Sequence, residues 1–135
     1  MNDRIFLDTN ILIYVYSDTE KNKQNIARKL ISDHKSYVST QVLQELTNIL
    51  TKKFNVSWIE VQNTLKESRQ NNLLHINTLD TIIDACTIAK KYKFSFYDCL
   101  IIAAAIQCNC KMLYSEDMQH GQIIESQIKI VNPFL

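Results

Sequence analysis

Short apolar runs alternate with segments of helical periodicity along most of the chain. The first run, residues 5–7, is continuously apolar, which is typical of a central parallel strand covered on both faces. Three polar residues follow, and a second apolar run at 11–14 begins a helix. This alternation predicts an α/β fold with a mainly parallel central sheet. Further strands are predicted at 37–39, 73–76, 111–114 and 128–131, the last of them on the edge side of the sheet.

The predicted helices differ in how much of their surface is apolar. A polar connection at 21–24 precedes the second helix, and Ser39 or Thr40 can cap the third. Glu45 lies about 40° outside the apolar stripe of that third helix, on the boundary between core and solvent. The helix at 94–106 is apolar on every side, which predicts a buried central helix. Ser57 and Thr78 cap two further helices, whose expected core residues are Trp58, Ile59, Val61 and Leu65 in one and Leu79, Ile82, Ile83, Cys86 and Ala89 in the other.

Composition narrows the possible functions. A chain of 135 residues, 46% of them hydrophobic, can form one domain with a substantial core, so we expect a single domain over residues 1–135. The net charge is only +1, so any binding to nucleic acid must come from local patches. Gly121 is the only glycine, which excludes glycine-rich loops for nucleotides or dinucleotides. No segment has the pattern of a signal peptide or a membrane span, so we expect a cytoplasmic protein.

The cysteines favour buried, reduced thiols over a metal site. Cys86 and Cys99 lie in apolar helical patterns, where a free thiol acts as a small hydrophobe. Cys108 and Cys110 could form a partial zinc set with His120, but the spacing is not that of a zinc ribbon or finger. We therefore reject a zinc site.

Four acidic residues are predicted to meet at one edge of the sheet. Asp8 and Asp117 follow the ends of predicted strands, Asp98 lies in the first turn of the most buried helix, and Glu45 lies early in a helix that follows a strand. In a parallel α/β sheet, the carboxyl ends of strands and the amino ends of helices lie along the same edge. All four carboxylates can therefore converge on one crevice.

Each acid also has a structural explanation of its own. Asp8 or Thr9 can cap the helix that follows, and Asp98 stands three residues after Ser95, as in a capping box. Glu45 alone reads as a solvated residue on a helix flank, and residues 115–117 alone read as an ordinary polar turn. These explanations are compatible with a shared site, because a carboxylate held at a buried helix terminus is already oriented for an ion.

A divalent cation would allow four carboxylates to share one crevice. Like charges at close range disfavour ionisation, and no arginine is placed to neutralise them. Ligands that are all oxygen favour Mg²⁺ or Mn²⁺ over zinc or copper. Ions held in this way can polarise a phosphoryl oxygen and activate water, so phosphodiester hydrolysis fits the set best, with outlying lysines holding the flanking backbone.

The chain resembles the PIN-domain family of compact metal-dependent nucleases, and within it the VapC-type toxin ribonucleases of toxin–antitoxin pairs. The resemblance spans nearly the whole chain and depends on the order and spacing of four motifs. It implies a single-domain α/β/α sandwich with endoribonuclease activity. The four motifs are Phe6-Leu7-Asp8-Thr9-Asn10, Gln44-Glu45-Leu46, residues 97–105 (YDCLIIAAA) and residues 114–121 (YSEDMQHG).

The resemblance also implies roles for particular residues and a partner. The acidic quartet of Asp8, Glu45, Asp98 and Asp117 would hold one or two Mg²⁺ or Mn²⁺ ions and activate the attacking water. Asn10 and Ser115 match supporting polar positions, Thr9 fits a similar role, and Glu116 can exchange roles with Asp117. The expected partners are RNA as substrate, a small antitoxin whose C-terminal segment covers the active-site groove, and a second toxin copy in a homodimer or higher assembly.

Two other functions stay open at this stage. Asp8 could be the nucleophile of a Mg²⁺-dependent aspartyl-phosphate phosphatase, although no lysine is evidently placed to meet the phosphate. The chain could also be a non-catalytic module that keeps the fold to bind RNA or protein. Such a module predicts RNA binding that needs no metal and tolerates Asp98→Asn.

Overall fold

A six-stranded sheet forms the centre of the computed structural model, which describes residues 3–135. Its order is β3-β2-β1-β4-β6-β5, and every neighbouring pair is parallel except β5 and β6. The mainly parallel sheet is therefore confirmed. The strands are β1 (Arg4–Leu7), β2 (Lys35–Ser39), β3 (Leu73–His75), β4 (Met112–Tyr114), β5 (Ile123–Ile124) and β6 (Ile128–Val131).

Strand β1 lies in the middle of the sheet, between β2 and β4. Ile5, Phe6 and Leu7 are buried, as expected for a strand that is covered on both faces. Beyond the strand, the backbone N–H of Asp8 donates to the carbonyl of Tyr114, at 3.0 Å. This bond places Asp8 beside the carboxyl end of β4.

The edge prediction for the last strand was wrong. β6 pairs with β4 on one side and with the antiparallel β5 on the other, so β5 takes the edge. β5 has only two residues, Ile123 and Ile124, and so short a strand has no hydrophobic period to reveal it.

Six helices within residues 3–135 accompany the sheet, and α6 is the buried central helix that the sequence predicted, with residues 99–105 all buried. Helix α5 packs against α6, while α1 packs against α2 and α3, and α3 packs against α4. No helix among residues 3–135 has the length and apolar character that a membrane crossing requires. The helices are α1 (Thr9–Val15), α2 (Lys21–Asp33), α3 (Thr40–Lys52), α4 (Trp58–Asn71), α5 (Leu79–Lys91) and α6 (Phe96–Gln107).

The predicted helix caps are confirmed by hydrogen bonds. The Ser39 hydroxyl accepts from the N–H of Val42, which decides between Ser39 and Thr40 as the cap of α3. Ser57 caps α4 in the same way, and Thr78 caps α5. These contacts satisfy N–H groups that have no partner within the helix, so the caps fix where each helix begins.

The polar connection predicted at residues 21–24 is the first turn of α2. Gln24 in that turn is buried, and its side-chain amide donates to the carbonyl of Val15 at 3.2 Å. The turn is therefore anchored by a polar contact to α1, which hydrophobic periodicity does not detect.

Two predictions about core-facing side chains were wrong. On α4, Val61 is buried and Leu65 packs partly against the core, but Trp58 and Ile59 are 68% and 69% exposed. On α5, the whole predicted stripe from Leu79 to Ala89 is exposed, and the buried residues are Thr81, Ala85 and Ile88.

Polar contacts explain the rotation of α5. The Thr81 hydroxyl donates to Gln107 Oε1 of α6 at 2.7 Å, and Gln107 Nε2 donates to Asp84 Oδ2 at 2.8 Å. These bonds turn the face with Thr81 toward α6, because a buried hydroxyl needs a hydrogen-bond partner. The spacing of apolar residues predicted a different face, because it takes no account of hydrogen bonds between helices.

The burial difference within α4 gives a direct test. We expect Val61→Ala to lower the free energy of unfolding by about 2 kcal/mol, because it removes two buried methyl groups and leaves a cavity. Ile59→Ala, two residues earlier on an exposed face, should change it by no more than about 0.5 kcal/mol. Urea unfolding of both variants measures the difference, and equal losses would show that Ile59 is buried after all.

Candidate active site at the carboxyl edge of the sheet

The four predicted acids line one cleft of about 370 Å³. Asp8 follows β1, Glu45 lies on α3, Asp98 is in the first turn of α6, and Asp117 follows β4. The carboxyl edge of the sheet thus brings together the residues that the sequence placed there. The other residues that line the cleft are Thr9, Asn10, Ile13, Asn48, Ile49 and Ile101, so no lysine or arginine is among the lining residues described.

Asp8 is the most deeply buried of the four acids, with 6% of its surface exposed. One carboxylate oxygen accepts from the N–H of Thr9 at 2.7 Å, and the other accepts from the Ser115 hydroxyl at 2.8 Å. Burial raises the pKa of Asp8 to about 6, although these two hydrogen bonds lower it, and the nearby Glu45 and Asp98 raise it further. Asp8 both caps α1 and lines the cleft, so a role as helix cap does not exclude a role in the site.

Glu45 is held by residues of two helices. The Thr9 hydroxyl of α1 donates to Glu45 Oε1 at 2.5 Å, and Gln41 Nε2 of α3 donates to Oε2 at 3.2 Å. The same amide nitrogen of Gln41 donates to the backbone carbonyl of Tyr97 in α6, at 3.1 Å. Gln41 therefore connects α3 to the helix that carries Asp98.

Gln41 is a site residue that the sequence did not identify. It is buried, and it precedes Glu45 by one helical turn. A glutamine at this spacing from an acid was the available signal, because residues four apart share a helix face.

Asp98 and Asp117 complete the cleft with different exposures. Asp98 is half-buried, and its N–H donates to the Ser95 hydroxyl at 3.2 Å, which confirms Ser95 as the cap of α6. Burial raises the pKa of Asp98, and the nearby Glu45 and Asp117 raise it further. Asp117 is exposed, and its carboxylate accepts from Asn10 Nδ2 at 2.8 Å.

Ser115 and Asn10 connect the acids to one another. Besides donating to Asp8, the Ser115 hydroxyl accepts from the N–H of Asp117 at 3.3 Å and from that of Met118 at 3.2 Å. Asn10 donates to Asp117 through its amide nitrogen and accepts from the N–H of Glu116 through its oxygen. Both residues therefore hydrogen-bond to acids of the cleft and to the backbone of the turn that carries Asp117.

Glu116 lies apart from the other acids. Its carboxylate accepts from the Tyr14 hydroxyl and forms an ion pair with Lys23, each at 2.6 Å. Glu116 lines a neighbouring groove, whereas Asp117 lines the acidic cleft. The structure thus separates two adjacent acids whose roles the sequence left interchangeable.

The donor set fits a hard divalent cation. The cleft presents four carboxylates with hydroxyl and amide oxygens nearby, and no cationic side chain among the described lining residues offsets their charge. As the side chains stand, residues 3–135 contain no cluster of three or more His, Cys, Asp or Glu that is ready to hold an ion. Three of the carboxylates would therefore have to move closer together before they could share one ion.

Comparisons with solved structures show the same fold in toxin–antitoxin proteins. A toxin–antitoxin complex from Klebsiella pneumoniae aligns with a TM-score of 0.72 at 19% identity, covering 96% of this chain and 97% of the other. VapBC2 from Rickettsia felis, bound to a DNA fragment from its promoter, gives 0.68 at 19% identity over 96% and 99%. VapC20 of Mycobacterium tuberculosis, a Sarcin-Ricin loop cleaving toxin, gives 0.62 at 17% identity over 84% and 89%.

The family assignment comes from the sequence itself. No curated protein matches the chain significantly. The model of the PIN domain matches residues 5–124, a range that contains all four acids of the cleft. Because this match covers most of the chain, the protein belongs to the PIN-domain family.

Proposed function

We propose that this protein is a metal-dependent endoribonuclease and the toxin of a toxin–antitoxin pair. The observation that carries the proposal is the meeting of Asp8, Glu45, Asp98 and Asp117 in one cleft of a PIN domain. The structural neighbours support the biological role, since they include toxin–antitoxin complexes and a toxin described as cleaving the Sarcin-Ricin loop.

The four acids would hold one or two Mg²⁺ or Mn²⁺ ions. Such ions polarise a phosphoryl oxygen and lower the pKa of bound water, which together promote hydrolysis of a phosphodiester bond. The chain itself contributes orientation. Ser115 and the N–H of Thr9 fix the Asp8 carboxylate, while Asn10 restrains Asp117. Such restraint favours catalysis, because the carboxylates need not be ordered during the hydrolysis step itself.

The phosphatase alternative is not favoured by the geometry. Both carboxylate oxygens of Asp8 already accept hydrogen bonds, and no lysine is among the lining residues of the described cleft. A phosphoryl group transferred to Asp8 would therefore displace Ser115 or the Thr9 amide and meet no cation from the protein.

A groove beside the cleft is suited to the proposed antitoxin. This apolar groove of about 780 Å³ is lined by Tyr14, Tyr16, Leu50, Phe54 and Val56 and shares Asn10, Ile13 and Ile49 with the acidic cleft. A segment of the antitoxin bound there would reach the acids and block access to RNA. We further propose that the toxin acts in the cytoplasm, as a homodimer or in a higher assembly with the antitoxin.

Replacement of Asp98 should abolish cleavage. We expect purified protein with Mg²⁺ or Mn²⁺ to cut total or transfer RNA into discrete fragments, and EDTA to prevent the cutting. Asp98→Asn should lower the rate by more than the roughly 10- to 100-fold typical of losing an outer partner of a metal ligand. Asp80→Asn, an exposed acid in the first turn of α5, is the matched control and should retain activity. Metal-free RNA binding without cleavage, unaffected by Asp98→Asn, would instead indicate a binding module.

Asp8 should make the metal-free protein less stable as the pH rises. Its folded pKa of about 6 lies above the unfolded value of 3.8, so the folded state binds more protons between these values. The free energy of unfolding should therefore fall from pH 4 to pH 7 by up to about 3 kcal/mol through this group. Asp8→Asn cannot ionise, so its free energy of unfolding should lack this pH-dependent fall. The variant should be more stable than wild type at pH 8 by about 1–2 kcal/mol.

Urea unfolding in EDTA at pH 5 and pH 8 gives the free energy of unfolding of wild type and of Asp8→Asn. The change in their difference between the two pH values measures the contribution of Asp8 ionisation. Added Mg²⁺ should raise the stability of wild type at pH 8 more than that of the variant, because binding to the folded state stabilises it. If the difference in free energy of unfolding between wild type and Asp8→Asn is the same at both pH values, ionisation of Asp8 does not destabilise the folded protein.

A further inference from the structure

A second cleft adjoins the acidic cleft and shares no lining residue with the apolar groove. We call it the side cleft; it has a volume of about 340 Å³ and shares Asp98 and Asp117 with the acidic cleft. Its size is within the range of small-ligand sites. A ligand that bridges these two acids would therefore extend directly into it. The other residues that line it are Lys93, Phe94, Ser95, Met118, Gln119 and Gln122.

The side cleft offers polar groups that the described part of the chain leaves available. Lys93 is exposed, and no carboxylate among residues 3–135 forms a salt bridge with it. Gln119 and Gln122 are linked through their backbones, by a bond of 3.4 Å, and their side-chain amides have no partner in the described residues. Phe94, which is partly buried, supplies the apolar surface of this lining, because Met118 belongs to the buried core.

Charge distinguishes the two sides of the acidic cleft. The apolar groove carries the carboxylates of Asp18 and Glu20 along with one cation, Lys53, and its third carboxylate, Glu116, is paired with Lys23. The side cleft has Lys93 and no carboxylate beyond the two acids it shares with the acidic cleft. Because the chain has a net charge of only +1, a nucleic-acid backbone can be attracted only by local groups of positive charge. The local balance favours the side cleft for a phosphate chain.

We infer that the side cleft binds one nucleotide of single-stranded RNA, next to the phosphodiester at the acids. The inference rests on the proposed function and adds where the substrate lies and what reads its sequence. Lys93 contacts the flanking phosphate, and the amides of Gln119 and Gln122 contact the edge of the base. The base lies against the Phe94 ring, since stacking on aromatic side chains is how single-stranded bases are held.

The inference is tested with Lys93→Gln and with the double variant Gln119→Ala/Gln122→Ala. On short single-stranded RNA, Lys93→Gln should raise KM about 10-fold with a smaller change in kcat, and it should reduce the salt slope of binding by about one. The double variant should alter which nucleotide flanks the cut, read by sequencing the fragment ends. Lys66→Gln, an exposed lysine on α4, is the matched control and should change neither measurement.

The outcomes separate this inference from the proposed function. If wild type cuts RNA but the variants keep its KM, salt slope and cut pattern, the side cleft is not a nucleotide site and the nuclease proposal stands. If wild type cuts no RNA, fluorescence anisotropy with labelled single-stranded RNA decides. A salt slope unchanged by Lys93→Gln then overturns the inference, and a slope reduced by about one supports it.

Discussion

The burial of one carboxylate, that of Asp8, is the constraint on which the rest of the site depends. A charged group at the end of the central strand β1 is costly to bury unless it is hydrogen-bonded. Two donors meet it, the N–H of Thr9 from α1 and the hydroxyl of Ser115 from the turn after β4. Ser115 is itself fully buried and accepts two further N–H bonds, so the turn that carries Asp117 is shaped around Asp8.

The strand order turns this local arrangement into a shared site. β1 lies between β2 and β4, so the elements that follow these strands project from the same edge. Glu45 and Asp98 come from α3 and α6, and the Gln41 amide bonds both to Glu45 and to the Tyr97 carbonyl. Residues separated by more than a hundred positions are brought into one cleft by topology, and three side-chain hydrogen bonds fix their relative positions.

The sequence allowed prediction of those features that local rules determine. The parallel strands, the caps at Ser39, Ser57, Thr78 and Ser95, and the meeting of four acids follow from periodicity, capping chemistry and the geometry of parallel sheets. The rotation of α5 was not predictable, because its direction depends on a hydrogen bond between Thr81 and Gln107. The separation of Glu116 from Asp117 likewise depends on Lys23 in α2, which lies 93 residues from Glu116 in the chain.

The negative charge of the four carboxylates, which repel one another when no cation is bound, also limits how a substrate can approach the cleft. Four carboxylates repel a phosphate chain, and a net charge of +1 gives no general attraction to offset this. In the proposed function, bound cations reverse the sign of the field only at the acids, so the flanking nucleotides must be held by side chains outside them. Of the two surfaces that border the acidic cleft, the apolar groove brings Lys53 and three more carboxylates, one of them already paired with Lys23, while the side cleft brings Lys93 and two available amides. Under the proposed function, one border of the cleft would take a protein segment and the other would take RNA, so that a partner could block the acids without occupying the nucleotide site.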